Sequence, residues 1–567
     1  MLSAWRSDQA RPELPEQRAD TKKAAATLRV QVTTLGGTPL GRAIVTVSTP
    51  GATGPQPATT DNDGRADFTV APGRWLVSAG HDGYLTLQAG QRRPQDLPRP
   101  LRLEAGQSVT IVMRLPRCGV LGGRVLDELG EPVTKARVRA LRYGYRRGLR
   151  TLLAVGEAES NAAGLYSIAG LGPGVYVLSA MFRKGGSAPA TPAGAVAFAP
   201  TYYPGTTSLS EVQPIELGLE QELNGHDFRM VPTRPVRIGG VLTDSRGKPA
   251  VQGAVSLYRR LGPAEAFAEV LDSTVSMSSN GSFFIAEVAP GEYLLRGMVP
   301  RTQTSEEEYG SMVLSVGGGD LTGLTLSAGR GGQVLGRVTG LPRPTDRVWV
   351  VGVLADRPDS ADMPRALTGY GFSTFTLTGV SGRVLIRVTD LPPGLSLRAV
   401  TRGGRDITDA ALDLKDGDTV TDVRVALTSQ STEITGTVAD DLGRQYFQDY
   451  VAVAFPEDRN RWEDPTRYIG VARPDQQGRF SVAGLPAGSY LVAVVNNMEE
   501  GEWTNKDLLE QLRRRALSVT LAEGERKDIR LTPPPASGPP HAHDGSPPAP
   551  RRLSLPLASR PVRPAAR

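Results

Sequence analysis

The chain of 567 residues contains one cysteine, Cys118. That excludes an intrachain disulfide and any Cys-x-x-Cys zinc site. Histidine is nearly as scarce, with only His81, His226, His541 and His543. No H-x-x-E occurs, so the two-His, one-Glu donor set of a zinc peptidase is missing. No G-x-S-x-G is present, and neither His81 nor His226 stands near a nucleophile elbow. The glycine run at 317–319 lacks the lysine and spacing of a phosphate loop. There is no apolar run of about 18 residues, the minimum for a membrane-spanning helix. The first 27 residues lack the apolar segment of a signal peptide. No catalytic residues, metal or cofactor are therefore expected, and the chain is not expected to be an enzyme.

Charge of one sign is also lacking in the body. The net charge is +6, but five arginines and one aspartate lie beyond residue 531, and the first 27 residues add about +1. A near-neutral body argues against a nucleic-acid partner. Eleven of the last 36 residues are proline, so 532–567 is expected to be a disordered, partly polyproline II tail. Residues 1–26 are polar and aperiodic and are expected to be disordered.

Glycine and proline are abundant, at 65 and 45 residues, and they recur in one pattern. A-P-G-R-W at 71–75 returns as G-P-G-V-Y at 172–176, A-P-G-E-Y at 289–293, P-P-G-L-S at 392–396 and P-A-G-S-Y at 486–490. The spacing between these glycines is that of one domain. Pro then Gly suits a type II turn, and the aromatic two residues after the glycine begins a strand. A second glycine precedes each turn (Gly64, Gly164, Gly281, Gly382, Gly478) by one strand plus its turn. Phe68, Tyr166, Phe283 and Phe480 follow it at positions suited to an inward aromatic.

Alternating runs such as L-R-V-Q-V-T-T and A-I-V-T-V-S read as half-buried strands. The fold expected is all-β: a tandem array of about five seven-stranded Greek-key β-sandwich domains, Ig-like in build. The boundaries are 27–116, 117–233, 234–329, 330–429 (degenerate) and 430–531. One segment departs from the pattern. Residues 504–516 carry Leu508, Leu509 and Leu512 at helical spacing, with Thr504 as N-cap and three arginines in the last turn. A short amphipathic helix packed on the fifth domain is expected.

The repeated order G-x-V-x-D-x-x-G-x-P, A-x-V, G-x-[FY], L-x-P-G-x-Y resembles the carboxypeptidase regulatory-like domain. It is clearest in the second, third and fifth repeats. The resemblance implies a transthyretin-like sandwich, related to the carbohydrate-binding-like fold. It implies no peptidase activity, since the catalytic domain of such enzymes is absent. Proteins built this way are usually exported, which implies a secreted, periplasmic or cell-surface location and a start further upstream. Fold of this kind hosts many functions, so the site must decide.

Two motifs have a plain structural reading beside a chemical one. Asp61-Asn-Asp63-Gly64 looks like half an EF-hand loop, but Pro72 stands where its closing glutamate belongs, and a hairpin turn is the preferred reading. His541 and His543 would chelate a cation only weakly in a tail. Sugar binding would need exposed aromatic platforms. Trp75 and Trp349 read as core. The ligand-binding candidates are Trp462, Trp503, Tyr202 and Tyr203, with Tyr143 and Tyr145 as further loop aromatics. The expected function is a surface or periplasmic scaffold or adhesion protein with a protein or polysaccharide partner. Alternatives are polysaccharide binding through those aromatics and an accessory role beside an exported transporter or peptidase.

Overall fold

A computed structural model describes residues 25–49, 56–146, 149–182, 197–234, 236–260, 269–276, 278–300, 307–343, 346–355, 364–368, 373–392, 394–430, 432–439, 450–462, 466–496 and 498–533. The expectations for 1–24 and 534–567, including His541 and His543, lie outside the described residues.

The third domain gives the plan in its simplest form. Its strands are Val236–Thr243, Ala254–Arg260, Glu269–Ser276, Ser282–Val288, Gly291–Val299, Glu308–Val316 and Leu321–Ser327. The fourth, first and seventh form one sheet; the third, second, fifth and sixth form the other. The first and seventh strands run parallel, and the remaining pairs are antiparallel. The same two sheets recur around Ala26–Thr34, Gly119–Leu126, Gly332–Thr339 and Glu433–Val438 as first strands. The chain is thus a tandem array of β-sandwiches, each closed on its own core. Period-two patterning explains why. In Ala26–Thr34 the side chains of Leu28, Val30 and Val32 are fully buried while Thr27 and Arg29 face out. Each such buried aliphatic contributes about 1.5–3 kcal/mol. Phe68, Tyr166, Phe283 and Phe480 sit in the cores of their own domains, 6% exposed or less.

The Pro-Gly turn is built differently from a type II turn. Gly73, Gly174, Gly291 and Gly488 have φ of 157°, 159°, 153° and 155°, and each opens the fifth strand of its domain. A type II turn places its glycine near +80°. What holds the turn is the aromatic two residues on. Tyr176, Tyr293 and Tyr490 donate their hydroxyls to the carbonyls of Gly172, Ala289 and Pro486, at 2.6, 2.9 and 2.7 Å. Trp75 does the same from its indole N–H to Ala71, at 2.9 Å. The motif is a side-chain clamp on its own turn.

The fourth repeat is corrected by register. Gly73, Gly174, Gly291 and Gly488 pair with Leu103, Leu217, Val316 and Leu521, each on the strand that flanks the start of the fifth strand. The residue with that pairing in the fourth domain is Gly382, opposite Leu414, not Gly394. Val384 occupies the aromatic position, so the clamp is lost there. Pro392 and Gly394 fall after the fifth strand, Gly382–Thr389.

Asp61 does form a turn: its carboxylate accepts from the amides of Asp63 and Arg65, at 3.0 and 2.8 Å. Asn161 and Asp475 make the same pair of bonds in the second and fifth domains. The helix spans Lys506–Arg513, and its cap is Asn505, whose side chain accepts from Leu508 N at 3.0 Å. Thr504 is taken up by a preceding 3-10 turn, Glu502–Thr504, which moves the cap one residue on.

The domains differ most in the connection from the fifth to the sixth strand. It is short in the third domain. In the fourth it carries the hairpin Ser396–Arg402 and Arg405–Asp406. In the fifth it carries the helix.

Candidate functional site

Two of these variable connections, in the first and fifth domains, meet. In the first domain the segment 91–97 is folded around two side chains. The amide of Gln91 donates to the carbonyls of Pro94 and Asp96, and the Asp96 carboxylate accepts from the Arg93 amide at 2.9 Å and from its guanidinium at 2.9 Å. This presents Pro94, Gln95 and Leu97 outward. In the fifth domain Glu499 and Glu500 lie between the fifth strand and the helix. Asp96 and Glu499 pair as an antiparallel bridge, and Glu500 N donates to Gln95 O at 3.3 Å.

Leu97 supplies the apolar part of this contact. It packs into the cluster between the helix and the outer face of the fifth domain's larger sheet, which includes Phe455, Trp462, Leu509 and Leu512. Arg473 donates to its carbonyl. Arg74 of the first domain is partly buried against the fifth, where it donates to Ser481 O at 3.5 Å, and its burial lowers its pKa from the usual arginine value, with Asp475 and Glu433 opposing the shift. The fifth domain also holds the fourth: Arg467 grips Asp409 through two nitrogens, at 3.0 and 3.1 Å, and Tyr468 donates to the same carboxylate at 2.9 Å. The fifth domain therefore joins both its neighbour in sequence and the start of the chain.

The second domain completes the junction. Its strands Arg137–Arg146 and Leu149–Glu159 have 10 and 11 residues, against five and four for Ile44–Ser48 and Gln56–Thr59 in the first domain. The longer hairpin extends its sheet to the fifth domain. Gly501 (φ 82°) approaches so closely that a Cβ there would lie 2.6 Å from the Tyr145 carbonyl. The Glu499 carboxylate stands between Arg93 of the first domain and Arg142 of the second, at 3.6 and 3.8 Å. One acid thus bridges cations from two other domains.

Around that acid is a cavity of about 630 Å³. Pro94 and Gln95, Arg142 and Tyr145, and Glu499 and Trp503 are among its lining residues. Of the aromatics singled out in the sequence, Trp503 and Tyr145 are brought together here. Tyr145 lies on a strand and not on a loop. Trp462 is elsewhere and 4% exposed; its indole N–H donates to Pro456 O at 2.8 Å, and its ring meets Phe455 edge-on. Tyr202 is buried beside Leu141, Leu152 and Val177. Tyr203 is partly buried with its ring edge-on to His226 and Phe228. Neither Trp462 nor Tyr202 presents a ring face to solvent. Among the described residues no group of three or more His, Cys, Asp or Glu gathers as a metal site would require, and no helix is long and apolar enough to cross a membrane.

Arg93, Leu97, Arg142 and Glu499 were not singled out in the sequence. For Arg93, Leu97 and Glu499 the only local signal is the charged character of Q-R-R-P-Q-D and E-E-G-E-W beside variable connections, and Arg142 lies within an ordinary strand.

No family model matches the chain, and no curated protein matches it. Solved structures with some likeness include the Bacillus anthracis TIE protein, 9% identical, covering 68% of this chain and 69% of that one, with a TM-score of 0.15. A streptococcal ancillary pilin is 10% identical and covers 54% and 99%, with a TM-score of 0.17. BcpA, the major pilin subunit of Bacillus cereus, is 10% identical and covers 53% and 99%, with a TM-score of 0.16. Scores this low carry nothing about the activity of this chain.

Proposed function

We propose that this protein is a non-enzymatic, exported binding scaffold built from carboxypeptidase regulatory-like β-sandwich domains and closed on itself by its fifth domain. The repeated opening and turn motifs support the family, and the family supports export. The non-enzymatic reading rests on how the polar residues are used. Asp61, Asn161 and Asp475 fold hairpins, the motif tyrosines clamp turns, and the junction acids hold domains together.

The observation that carries the proposal is the seat of Leu97 in the fifth domain's cluster. An adhesion stalk extends by keeping its end domains apart; here the last sandwich is docked on the first two. Small-angle scattering tests this with the full chain. The wild type is expected to give a compact particle, and Leu97→Asp a markedly larger radius of gyration with the strand content unchanged by circular dichroism. An extended wild-type particle, with Leu97→Asp no different, overturns closure.

A further inference from the structure

We propose that two copies of this chain pair edge to edge through the third domain, along the strand Glu308–Val316, as an antiparallel two-fold dimer. The inference goes beyond closure and does not depend on it, because the contact on each copy lies within one sandwich.

Glu308–Val316 is the outer strand of that domain's larger sheet and pairs on one side only, with Gly291–Val299. The pairing runs without a register shift, so no bulge twists the edge away. The strand contains no proline, lysine or arginine. Its one acid, Glu308, is 3% exposed, accepting from the Ser245 amide and hydroxyl at 2.7 Å each and from Arg330 Nε at 3.2 Å. Among the described edge strands only Leu149–Glu159 is longer, and it carries Glu157 and Glu159. Native sheets protect a long edge with charge, proline, a bulge or a cover. Here a cover reaches only Tyr309, whose N–H and C=O both bond Gly329, at 3.0 Å.

That bond also sets the direction of the rest of the edge. Backbone groups alternate along a strand, so Ser311, Val313 and Ser315 point outward as Tyr309 does. Among the described residues no backbone bond reaches them on that side. Their side chains are exposed on the outer face, Val313 by 58%. The occupant follows from their order. Ser311-Met-Val-Leu-Ser315 has the same pattern in both directions about Val313. An antiparallel copy centred there sets Val313 against Val313 and each Ser311 against Ser315, with every outward N–H facing a C=O. The valines leave water together, the facing serines can share hydrogen bonds, and no like charges meet. The next position sets Tyr309 against the copy's Gly317, where even a Cβ would meet no atom within 4 Å, so the ring has space. A strand of unrelated sequence would match the backbone alone; the symmetry of the side chains selects a second copy.

The test is sedimentation velocity on the full chain. A contact of one strand pair is small and weak, so the protein is run up to about 200 µM. Wild type is expected to pass from monomer to dimer as concentration rises, with hydrogen exchange of the Ser311, Val313 and Ser315 amides slowing over the same range. Val313→Lys sets like charges face to face and should weaken the dimer by at least about tenfold. Its circular dichroism should match the parent, since the side chain stands in solvent. Ser311→Lys/Ser315→Lys should weaken it likewise, whereas Ser311→Lys/Ser315→Glu places opposite charges at each facing pair and should keep the dimer. Monomer at every concentration, a dimer indifferent to Val313→Lys, unchanged exchange at the three amides, or equal loss in both serine double variants overturns the proposal. So does a dimer that appears only when residues 534–567 are removed, which would make the tail the occupant of the edge.

Discussion

The Gln476 side chain of the fifth domain takes both hydrogen-bonding groups of Arg102 in the first. Its carbonyl accepts from Arg102 N at 3.1 Å and its amide donates to Arg102 O at 2.7 Å. Arg102 lies on Leu101–Leu103, which pairs with the fifth strand of its domain through Gly73, Arg74 and Trp75 and, among the described residues, has no further strand beyond it. A side-chain amide thus covers an open strand edge, the feature that otherwise invites pairing with another chain. Gln476→Ala should speed hydrogen exchange of the Arg102 amide and weaken docking by about 1–2 kcal/mol. Unchanged exchange at that amide would mean the contact is not formed in solution.

The turn clamp has a measurable worth of its own. Tyr490 is fully buried, and its hydroxyl donates to Pro486 O. Tyr490→Phe keeps the ring and orphans a carbonyl, so a loss of about 1–2 kcal/mol in unfolding free energy is expected. In the fourth domain Val384 stands at this position without a polar tip, and Val384→Ala should act only through its cavity. Chemical denaturation of the two variants separates the effects. A Tyr490→Phe protein as stable as the parent would reduce the motif to a packing signal.

Acid should loosen the fourth domain's inserted hairpin in one direction. Asp406 accepts from the Thr408 hydroxyl and, at 2.8 Å, from its amide, and these bonds hold its carboxyl below the usual aspartate range. A depressed folded-state value means the stabilisation is complete above the unfolded value of about 3.9 and disappears as pH falls below it. Asp406→Asn should therefore melt below the parent at pH 7, and the gap should close when melts are repeated at pH values below about 4. A gap independent of pH would show that the ionised form has no special role.

Much of the fold was legible because its signals are local. Alternation places Leu28, Val30 and Val32 on one face, and the clamp residues lie four positions from their carbonyls. The fourth repeat misled because its clamp aromatic is gone; with Val384 in place of tyrosine, the nearest Pro-Gly pair, Pro393-Gly394, looked like the motif although strand register assigns the role to Gly382. Leucine spacing marks the helix, but its cap is Asn505 because a 3-10 turn absorbs Thr504. Trp462 sits in a polar sequence yet is buried, since the helix and Phe455 cover it. The closing contacts left almost no trace. Gln476 and Arg102 are 374 residues apart, and a residue's own neighbours say nothing about a partner at that distance.

Closure is tested most directly by a covalent staple. Asp96 and Glu499 pair across the junction, and Gln95 and Glu500 are the next residues along it. Bridged antiparallel residues lie about 4.5–5.5 Å apart at Cα, within disulfide range. With the native Cys118 changed to serine, cysteines at 95 and 500 should form an intramolecular disulfide under mild oxidation in dilute solution. It should appear as a faster-migrating monomer on a non-reducing gel, reversed by reductant. Free thiols alone, or disulfides only between molecules, would contradict a fifth domain docked on the first.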